Sequence, residues 1–256
     1  MTFSICIDSV FQGIDRLKAL EQVKATGFHA FEFWDWQEED IGPLAKMAEA
    51  LELSCVGFCT TCFNLTDPGQ RETFISGLKE SIVQAKKMGA SSLITQSGND
   101  TGQTRSFQQQ SIIEGLKAAA PLLEGEGITL LVEPLNSRID HYGIYLESSD
   151  EGFEIINHVG SPNVKLLFDI YHQQITEGDI IRRLTSNIKM IGHIHSAGNP
   201  GRHELDSGEL NFIKVFSALE SAGYKGYVGI EYYPADPPIE GLKRFLRQWE
   251  CKVTTK

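Results

Sequence analysis

Four residues that can ligate a divalent metal each stand at the end of a short apolar run. The runs read LLVEP, KLLFD, MIGHIH and VGIE, and they carry Glu133, Asp169, His195 and Glu231. These residues are spaced 36, 26 and 36 positions apart, which is about the length of one strand–helix unit. Because the carboxyl ends of parallel strands meet at one end of a barrel, the four side chains should converge there. Three carboxylates and an imidazole at one point predict a metal site, and therefore an enzyme.

The ligand chemistry indicates which metals would suit such a site. Carboxylates are hard ligands, and three of them beside a single imidazole favour Mn²⁺, Mg²⁺ or Co²⁺. Zinc is less favoured because it prefers nitrogen and sulfur ligands. The metal would leave open positions for two oxygens of a small-molecule substrate.

Each of these residues alone also has a structural interpretation. Glu133 could cap the helix that follows it. His193 and His195 alternate on one strand and face the same way, so one could be a ligand and the other a residue that supports it or packs beside it, and either one alone is more often structural. A carboxylate at the end of an apolar strand, such as Glu231, is costly to bury unless it is paired or metal-bound. A structural role for all four together is therefore the weaker interpretation.

Eight strand-like runs would position these residues. Most are β-branched, aromatic or apolar without polar alternation, as expected of parallel strands covered on both faces. Segments of helical period lie between them, for example 14–27, 71–90 and 211–224. The eight runs are 3–7, 30–34, 54–58, 92–96, 128–133, 164–169, 188–195 and 227–231.

This alternation predicts an α/β fold, a single (β/α)8 TIM barrel over residues 1–256. The length of 256 residues suits one such barrel. Gly27, Gly89 and Gly223 end helical segments and suit left-handed C-caps. A doubly wound open sheet is the alternative, but no G-x-G-x-x-G motif follows the first strand.

Charge and hydropathy exclude several classes of partner. A formal net charge of −11 argues against a general nucleic-acid binder, which needs a basic face. The apolar stretches are shorter than the roughly 18 residues that span a bilayer, so no membrane partner is expected. The N-terminal MTFSICIDS lacks the basic region and apolar run of a secretory signal, which predicts a cytoplasmic protein.

Three cysteines stand close together in SCVGFCTTC. Cys55, Cys59 and Cys62 have the spacing C-x3-C-x2-C, and no second pair follows. This spacing matches structural zinc sites poorly, so we expect reduced thiols on or after a buried strand.

Several ordered stretches carry a family resemblance. They are EPLNSRIDHYGIYL, NVKLLFDIYHQQITEGDIIRRL, IGHIHSAGNPGRHELDSGELNF and GYVGIEYYP. Together they resemble the hydroxypyruvate isomerase family of the xylose-isomerase-like TIM barrels, a superfamily that also contains ketose 3-epimerases. The resemblance is close over 128–234 and looser over 64–99.

The resemblance implies an isomerase that acts through an enediolate, most simply between hydroxypyruvate and tartronate semialdehyde. It implies that Glu133 and Glu231 are the acid/base pair and that both also bind the metal with Asp169 and His195. A homo-oligomer is a further expectation from the resemblance alone. The substrate contacts that it implies are His172, Arg202 and Glu204.

The chain departs from that family in two places, which keeps a ketose 3-epimerase open as an alternative. Hydroxypyruvate isomerases usually carry Gln where His195 stands, and FWDWQEED at 33–40 replaces the usual loop. In that loop Trp34 and Trp36 could wall the substrate or form a subunit interface. Glu32 could reach the pocket or be structural. The same four ligands support both reactions.

Arg202 has a role that depends on the substrate. On the loop after strand seven, its guanidinium could bind a substrate carboxylate in a bidentate pair. In an epimerase that acts on a neutral sugar it would bond hydroxyls instead.

Two remote alternatives use the same fold. An apurinic endonuclease needs a trinuclear zinc cluster, which takes several more histidine ligands than the single His195 of the predicted site. This chain has seven histidines in all, and four of them lie between 172 and 203. A non-catalytic sugar-binding barrel would predict a broken ligand set, and here all four ligands are present.

Overall fold

Eight parallel strands close into a barrel in the described part of the chain, which comprises residues 1–37, 39–61 and 63–254 of a computed structural model. The strands pair in chain order, and the last returns to the first. This arrangement confirms the TIM barrel and excludes the open sheet. The strands are β1 (Thr2–Cys6), β2 (Ala30–Phe33), β3 (Ser54–Cys59), β4 (Ser92–Thr95), β5 (Thr129–Val132), β6 (Val164–Asp169), β7 (Ile191–Ser196) and β8 (Tyr227–Ile230).

The helices lie between the strands and after the last one. A 3-10 turn at Pro68–Gln70 precedes the fourth helix. The helices are α1 (Ile7–Val10), α2 (Arg16–Ala25), α3 (Gly42–Ala50), α4 (Arg71–Met88), α5 (Arg105–Glu126), α6 (Ser149–Val159), α7 (Ile170–Thr176), α8 (Ile180–Ser186), α9 (Phe212–Ser221) and α10 (Pro238–Thr254). None of these helices is long and apolar enough to cross a membrane.

Seven of the eight predicted strands differ from the observed strands at one or both ends, mostly by one residue, and two of these differences have local reasons. The first strand was expected to include Ile7, but that residue begins the short helix α1. The seventh was expected from 188, yet it starts at Ile191, because the amide of Met190 closes a turn on the carbonyl of Asn187 at 2.9 Å. The predicted left-handed glycines are confirmed: Gly89 caps α4 with φ 69°, and Gly27 and Gly223 also have positive φ.

Alternation along the strands separates two packing environments. Leu130 and Val132 pack into the main core with the helices, whereas Leu131 belongs to a separate small cluster with Ile94 and Leu167 inside the barrel. The next inward position on β5 lies just past the strand and is Glu133, since inward positions recur every two residues.

The same rule positions the rest of the predicted site. On β6 Asp169 follows Leu167, and on β7 His195 follows His193 by two residues. After β8, Glu231 stands two residues beyond Gly229. All of these positions lie at the carboxyl mouth of the barrel, where active sites of this fold are built.

Candidate active site

The structure brings the four predicted ligands together. Ligand atoms of Glu133, Asp169, His195 and Glu231 all lie within 4.8 Å of one another, and all four residues are buried. Asp169 is paired with His195 in the β6–β7 register, and His195 is paired with Gly229 in the β7–β8 register. The strand pairing therefore places the candidate ligands Asp169 and His195 side by side, with Glu231 two residues beyond the partner of His195.

His195 has one occupied and one free ring nitrogen. Its Nε2 lies 2.9 Å from Oε2 of Glu32. Its Nδ1 is buried, faces the carboxylates of Glu231 at 3.2 Å and Glu133 at 3.6 Å, and makes no well-aligned hydrogen bond to any described residue. Burial lowers the pKa of His195, but the charges of Glu231 and Glu32 outweigh it and raise the pKa well above its ordinary value. A buried nitrogen facing carboxylates fits a cation site.

Asp169 has a divided role. Its Oδ1 accepts from the amide of Tyr171 at 2.7 Å and from the amide of His172 at 3.3 Å, so it caps α7. Its Oδ2 lies 3.8 Å from Nη2 of Arg202. Burial raises the pKa of Asp169, and the nearby Arg202 cation only partly opposes this. One oxygen is thus fixed by the helix and the other remains directed into the site.

Glu231 is held as an anion by its surroundings. Its Oε1 accepts from Nε1 of Trp34 at 2.6 Å, and its Oε2 accepts from Nη2 of Arg202 at 2.8 Å. Burial raises its pKa, but the charges of His195 and Arg202 outweigh burial, and the pKa lies well below its usual range. An ionised, oriented carboxylate can accept a proton.

A cavity of about 270 Å³ opens above this cluster. Glu133, His172, His195, Arg202 and Glu231 all contribute to its polar side. The apolar side of the cavity is formed by Trp34, Cys59, Ile94, Leu135 and Tyr233. Since drug-sized ligands occupy about 300–1,000 Å³, this volume suits a substrate of a few carbons.

His172 presents a hydrogen-bond donor to the cavity. Its Nδ1 accepts from the amide of Asn136 at 3.3 Å and lies 2.6 Å from Nδ2 of the same residue. A neutral imidazole that accepts at Nδ1 carries its proton on Nε2. Nε2 is buried and has no hydrogen-bond partner among the described residues. Burial, and then the charge of Arg202, lower the pKa of His172 to about 3.

The lowered pKa of His172 predicts an acid-labile contribution to stability. The folded state keeps this group neutral, whereas the unfolded chain binds a proton below about 6.5. Its contribution is complete above that pH and is lost as the pH falls toward about 3. Between pH 7 and pH 5 the loss is about 2 kcal/mol. In urea titrations with a chelator present, His172→Gln should remove most of this pH-dependent loss.

The control for this prediction is His158→Gln. His158 is an exposed residue at the end of α6, and its ring hydrogen-bonds the carbonyl of Glu154 in its own helix. The His158→Gln variant should show the same loss of unfolding free energy between pH 7 and pH 5 as the wild type. An equal pH dependence in the two variants would contradict the prediction.

Trp36 and Glu204 are not among the residues that line the cavity. Trp36 is half-buried against the main core, and its Nε1 donates to Oγ of Ser81 at 3.3 Å, so it does not form a wall over the substrate. Glu204 is buried, but its carboxylate accepts from the amides of Ala235 and Asp236 at 3.0 to 3.2 Å. It fixes the loop after β8 and is not among the residues that line the cavity, so a substrate contact of Glu204 stays a prediction.

The cysteine cluster does not form one site in the described residues. Cys55 packs in the main core, whereas Cys59 lines the cavity. Burial raises the pKa of both thiols, which disfavours thiolates. Cys62 lies outside the described residues.

Besides apolar residues and Cys59, three polar or aromatic cavity residues were not predicted from the sequence. Gln96 directly follows β4 and could have been found by the same strand-end rule that found the ligands. His141 lies in the loop after β5, with its ring 5.2 Å from that of His172, and carries no periodic signal. Tyr233, two residues after Glu231, packs edge-on to Trp34 at 6.4 Å.

The fold and this geometry can be compared with known proteins. A sequence model of the family described as xylose isomerase-like TIM barrel matches residues 20–249. The chain belongs to this family. Hydroxypyruvate isomerase of Escherichia coli K12 is 30% identical over 257 residues, which cover 95% of the chain and 97% of that protein. A 2-oxo-tetronate isomerase of Cupriavidus necator is 44% identical over 130 residues, about half of each chain.

Solved structures share this fold. A protein described as AP endonuclease, family 2, from Brucella melitensis has a TM-score of 0.91 and 30% identity, covering 96% of this chain and 98% of that one. A D-psicose 3-epimerase from Clostridium cellulolyticum H10 has a TM-score of 0.83 at 19% identity, covering 98% of each chain, and so shares the fold. The isomerase relatives confirm the expectation of an isomerase-type enzyme.

Proposed function

We propose that this protein is a metal-dependent isomerase that interconverts hydroxypyruvate and tartronate semialdehyde. The observation that carries the proposal is the position of Arg202 beside the two candidate acid/base residues. Its guanidinium is buried at the cavity, 2.8 Å from Glu231, and its Nε has no partner among the described residues. A free donor on a fixed cation suits the carboxylate of a small acid.

The donor set supports a divalent cation at the four clustered residues. Three carboxylates favour Mn²⁺, Mg²⁺ or Co²⁺ over zinc. The unpartnered Nδ1 of His195 is a suitable ligand atom for the fourth position. When bound, such a cation would polarise the carbonyl and hydroxyl oxygens of the substrate and acidify the intervening C–H.

The side chains of the protein would then move the proton. In hydroxypyruvate one carboxylate removes a proton from C3, which gives the enediolate, and a proton returns to C2 as the hydroxyl proton shifts between the oxygens. Glu231 is ionised and suited to the first transfer, and Glu133 serves the second. His172 donates from Nε2 to a substrate oxygen, and Trp34 covers the apolar side.

A ketose 3-epimerase is the second candidate. It is favoured by the imidazole at position 195, where hydroxypyruvate isomerases usually carry Gln. A four-carbon acid, such as the 2-oxo-tetronate in the name of the Cupriavidus relative, would need the same chemistry as hydroxypyruvate and the same Arg202 contact.

A DNA-repair function of the kind named for the Brucella relative has less support. Among the described residues the groups able to hold an ion are the four-residue cluster and Glu32, His193 and His195. The two groups share His195, so they do not amount to three separate metal positions. The net charge of −11 also disfavours a nucleic-acid substrate.

An activity panel on the metal-stripped protein tests the proposal. With Mn²⁺, Mg²⁺ or Co²⁺ restored, we expect isomerisation of hydroxypyruvate, with or without 2-oxo-tetronate, and no conversion of D-fructose. Chelation should abolish the activity. Epimerisation of a ketose alone, nicking of abasic DNA, or full activity in excess chelator would contradict the proposal.

A further inference from the structure

Glu32 is the acceptor for three buried donors inside the barrel. Oγ of Ser4 donates to its Oε1 at 2.5 Å, and Nε2 of His193 lies 3.0 Å from its Oε2. Nε2 of His195 lies 2.9 Å from the same Oε2. Glu32 is only 2% exposed and does not line the cavity. Among the described residues, its hydrogen bond to the candidate site is therefore the one with His195.

This arrangement determines which nitrogen of His195 faces the site. An ionised carboxylate can only accept hydrogen bonds, so the ring nitrogen against it must carry a proton. Both oxygens of Glu32 are engaged as acceptors, Oε1 by the hydroxyl of Ser4 and Oε2 by the two imidazoles. With Nε2 committed to Glu32, Nδ1 is the nitrogen directed at Glu133 and Glu231.

Gly229 provides the space that this contact requires. It is paired with Ser4 on β1 and with His195 on β7. A methyl group on Gly229 would lie 2.7 Å from Cδ2 of His195 and closer still to Oε1 of Glu32. Any larger residue would therefore push the carboxylate and the imidazole apart without removing a hydrogen-bonding group.

We propose that Glu32, seated in the space left by Gly229, is a positioning residue that holds a proton on Nε2 and fixes the ring orientation of His195, so that Nδ1 faces the site, and thereby sets the cation affinity of the site. The inference rests on the metal site of the proposed function. Partners that orient a metal-binding histidine typically change metal affinity by about 10- to 100-fold.

The first measurement is the affinity for Mn²⁺, by competition with a chelator, for Glu32→Gln and Gly229→Ala. Both variants should bind Mn²⁺ about 10- to 100-fold more weakly than the wild type. Ser4→Ala is the matched control, because it removes one donor to Glu32 and leaves both imidazole contacts; it should stay within about threefold. Circular dichroism and thermal melts check that each variant folds. If Glu32→Gln does not fold, Glu32→Asp, which keeps the charge, replaces it.

The second measurement is proton and nitrogen NMR of histidine-labelled protein without metal. The Nε2–H proton of His195, assigned by its loss in His195→Gln, should lie downfield in the wild type and in Ser4→Ala. In Glu32→Gln it should move upfield or exchange away. A purely structural role would lower the melting temperature and leave both the proton signal and the Mn²⁺ affinity unchanged.

The two measurements separate this inference from the proposed function. If the wild type binds no Mn²⁺, the metal-dependent function fails, and the proton signal still decides whether Glu32 orients His195. An unshifted Nε2–H signal in Glu32→Gln overturns the inference. So does Mn²⁺ affinity within threefold of wild type in both folded variants.

Discussion

Replacing Glu231 by Gln is expected to lower kcat for hydroxypyruvate isomerisation by at least about a thousandfold at saturating metal. The amide keeps the shape of the side chain but cannot take up the proton that the reaction must move. The loss of rate should lie toward the upper end of the range of about 100- to 10,000-fold that general acid–base groups contribute. The reason is that Glu231 is buried and is held ionised by His195 and Arg202. Glu133→Gln should have an effect of similar size.

The measurement is steady-state turnover at several metal concentrations, so that weakened metal binding is separated from lost proton transfer. Glu204→Gln is the matched control, since it is also a buried glutamate at the mouth of the barrel. Its carboxylate bonds the amides of Ala235 and Asp236, and its activity should stay within about tenfold of wild type. Normal turnover in either Glu133→Gln or Glu231→Gln at saturating metal would show that the acid/base assignment is wrong.

Arg202→Lys is expected to lower kcat/KM for hydroxypyruvate roughly 30- to 150-fold, which corresponds to a loss of about 2 to 3 kcal/mol in transition-state stabilisation. Lysine keeps the positive charge beside Glu231 but lacks the planar fork that binds a carboxylate through two hydrogen bonds. The main change should therefore be a rise in KM. Inhibition by tartronate should weaken in parallel, whereas inhibition by neutral glycerol should not change.

Arg105→Lys is the control for that substitution. The guanidinium of Arg202 lies 5.2 Å from the ring centroid of Tyr171. That of Arg105 lies 4.2 Å from the ring centroid of Tyr145, but Arg105 is not among the residues of the cavity. Its variant should keep the wild-type KM. A KM for hydroxypyruvate that is unchanged in Arg202→Lys would remove the argument for a carboxylate substrate and favour the ketose epimerase.

The part of the site that the sequence predicts is the part that strand geometry dictates. Glu133, Asp169, His195 and Glu231 converge because each follows a buried parallel strand, and the carboxyl ends of such strands meet in a barrel. The barrel itself follows from eight alternations of strand and helix. Neither inference requires knowledge of contacts across the barrel.

Apart from Gln96, which strand geometry alone would have found, the parts that the sequence missed or left open depend on such contacts. Alternation on β2 predicts that Glu32 points to the opposite face of the strand from Phe31 and Phe33. It does not predict the hydrogen bond of Glu32 with His193, which is 161 residues away in the chain. Trp36 follows Trp34 by two residues, yet it lies beyond the strand, where alternation no longer fixes direction. Glu204 shares a motif with Arg202, and only the path of the loop after β8 shows that its carboxylate bonds backbone amides.

The contacts of Glu32 also bear on the order in which the barrel is assembled. All four candidate ligands belong to the second half-barrel, from β5 to just past β8, whereas Ser4 and Glu32 belong to the first two strands. A folding intermediate with β5 to β8 formed and β1 and β2 undocked would contain every ligand but not the acceptor that orients His195. Binding competence would thus be acquired late, when the ring of strands closes, and metal uptake would serve as a reporter of that final folding step.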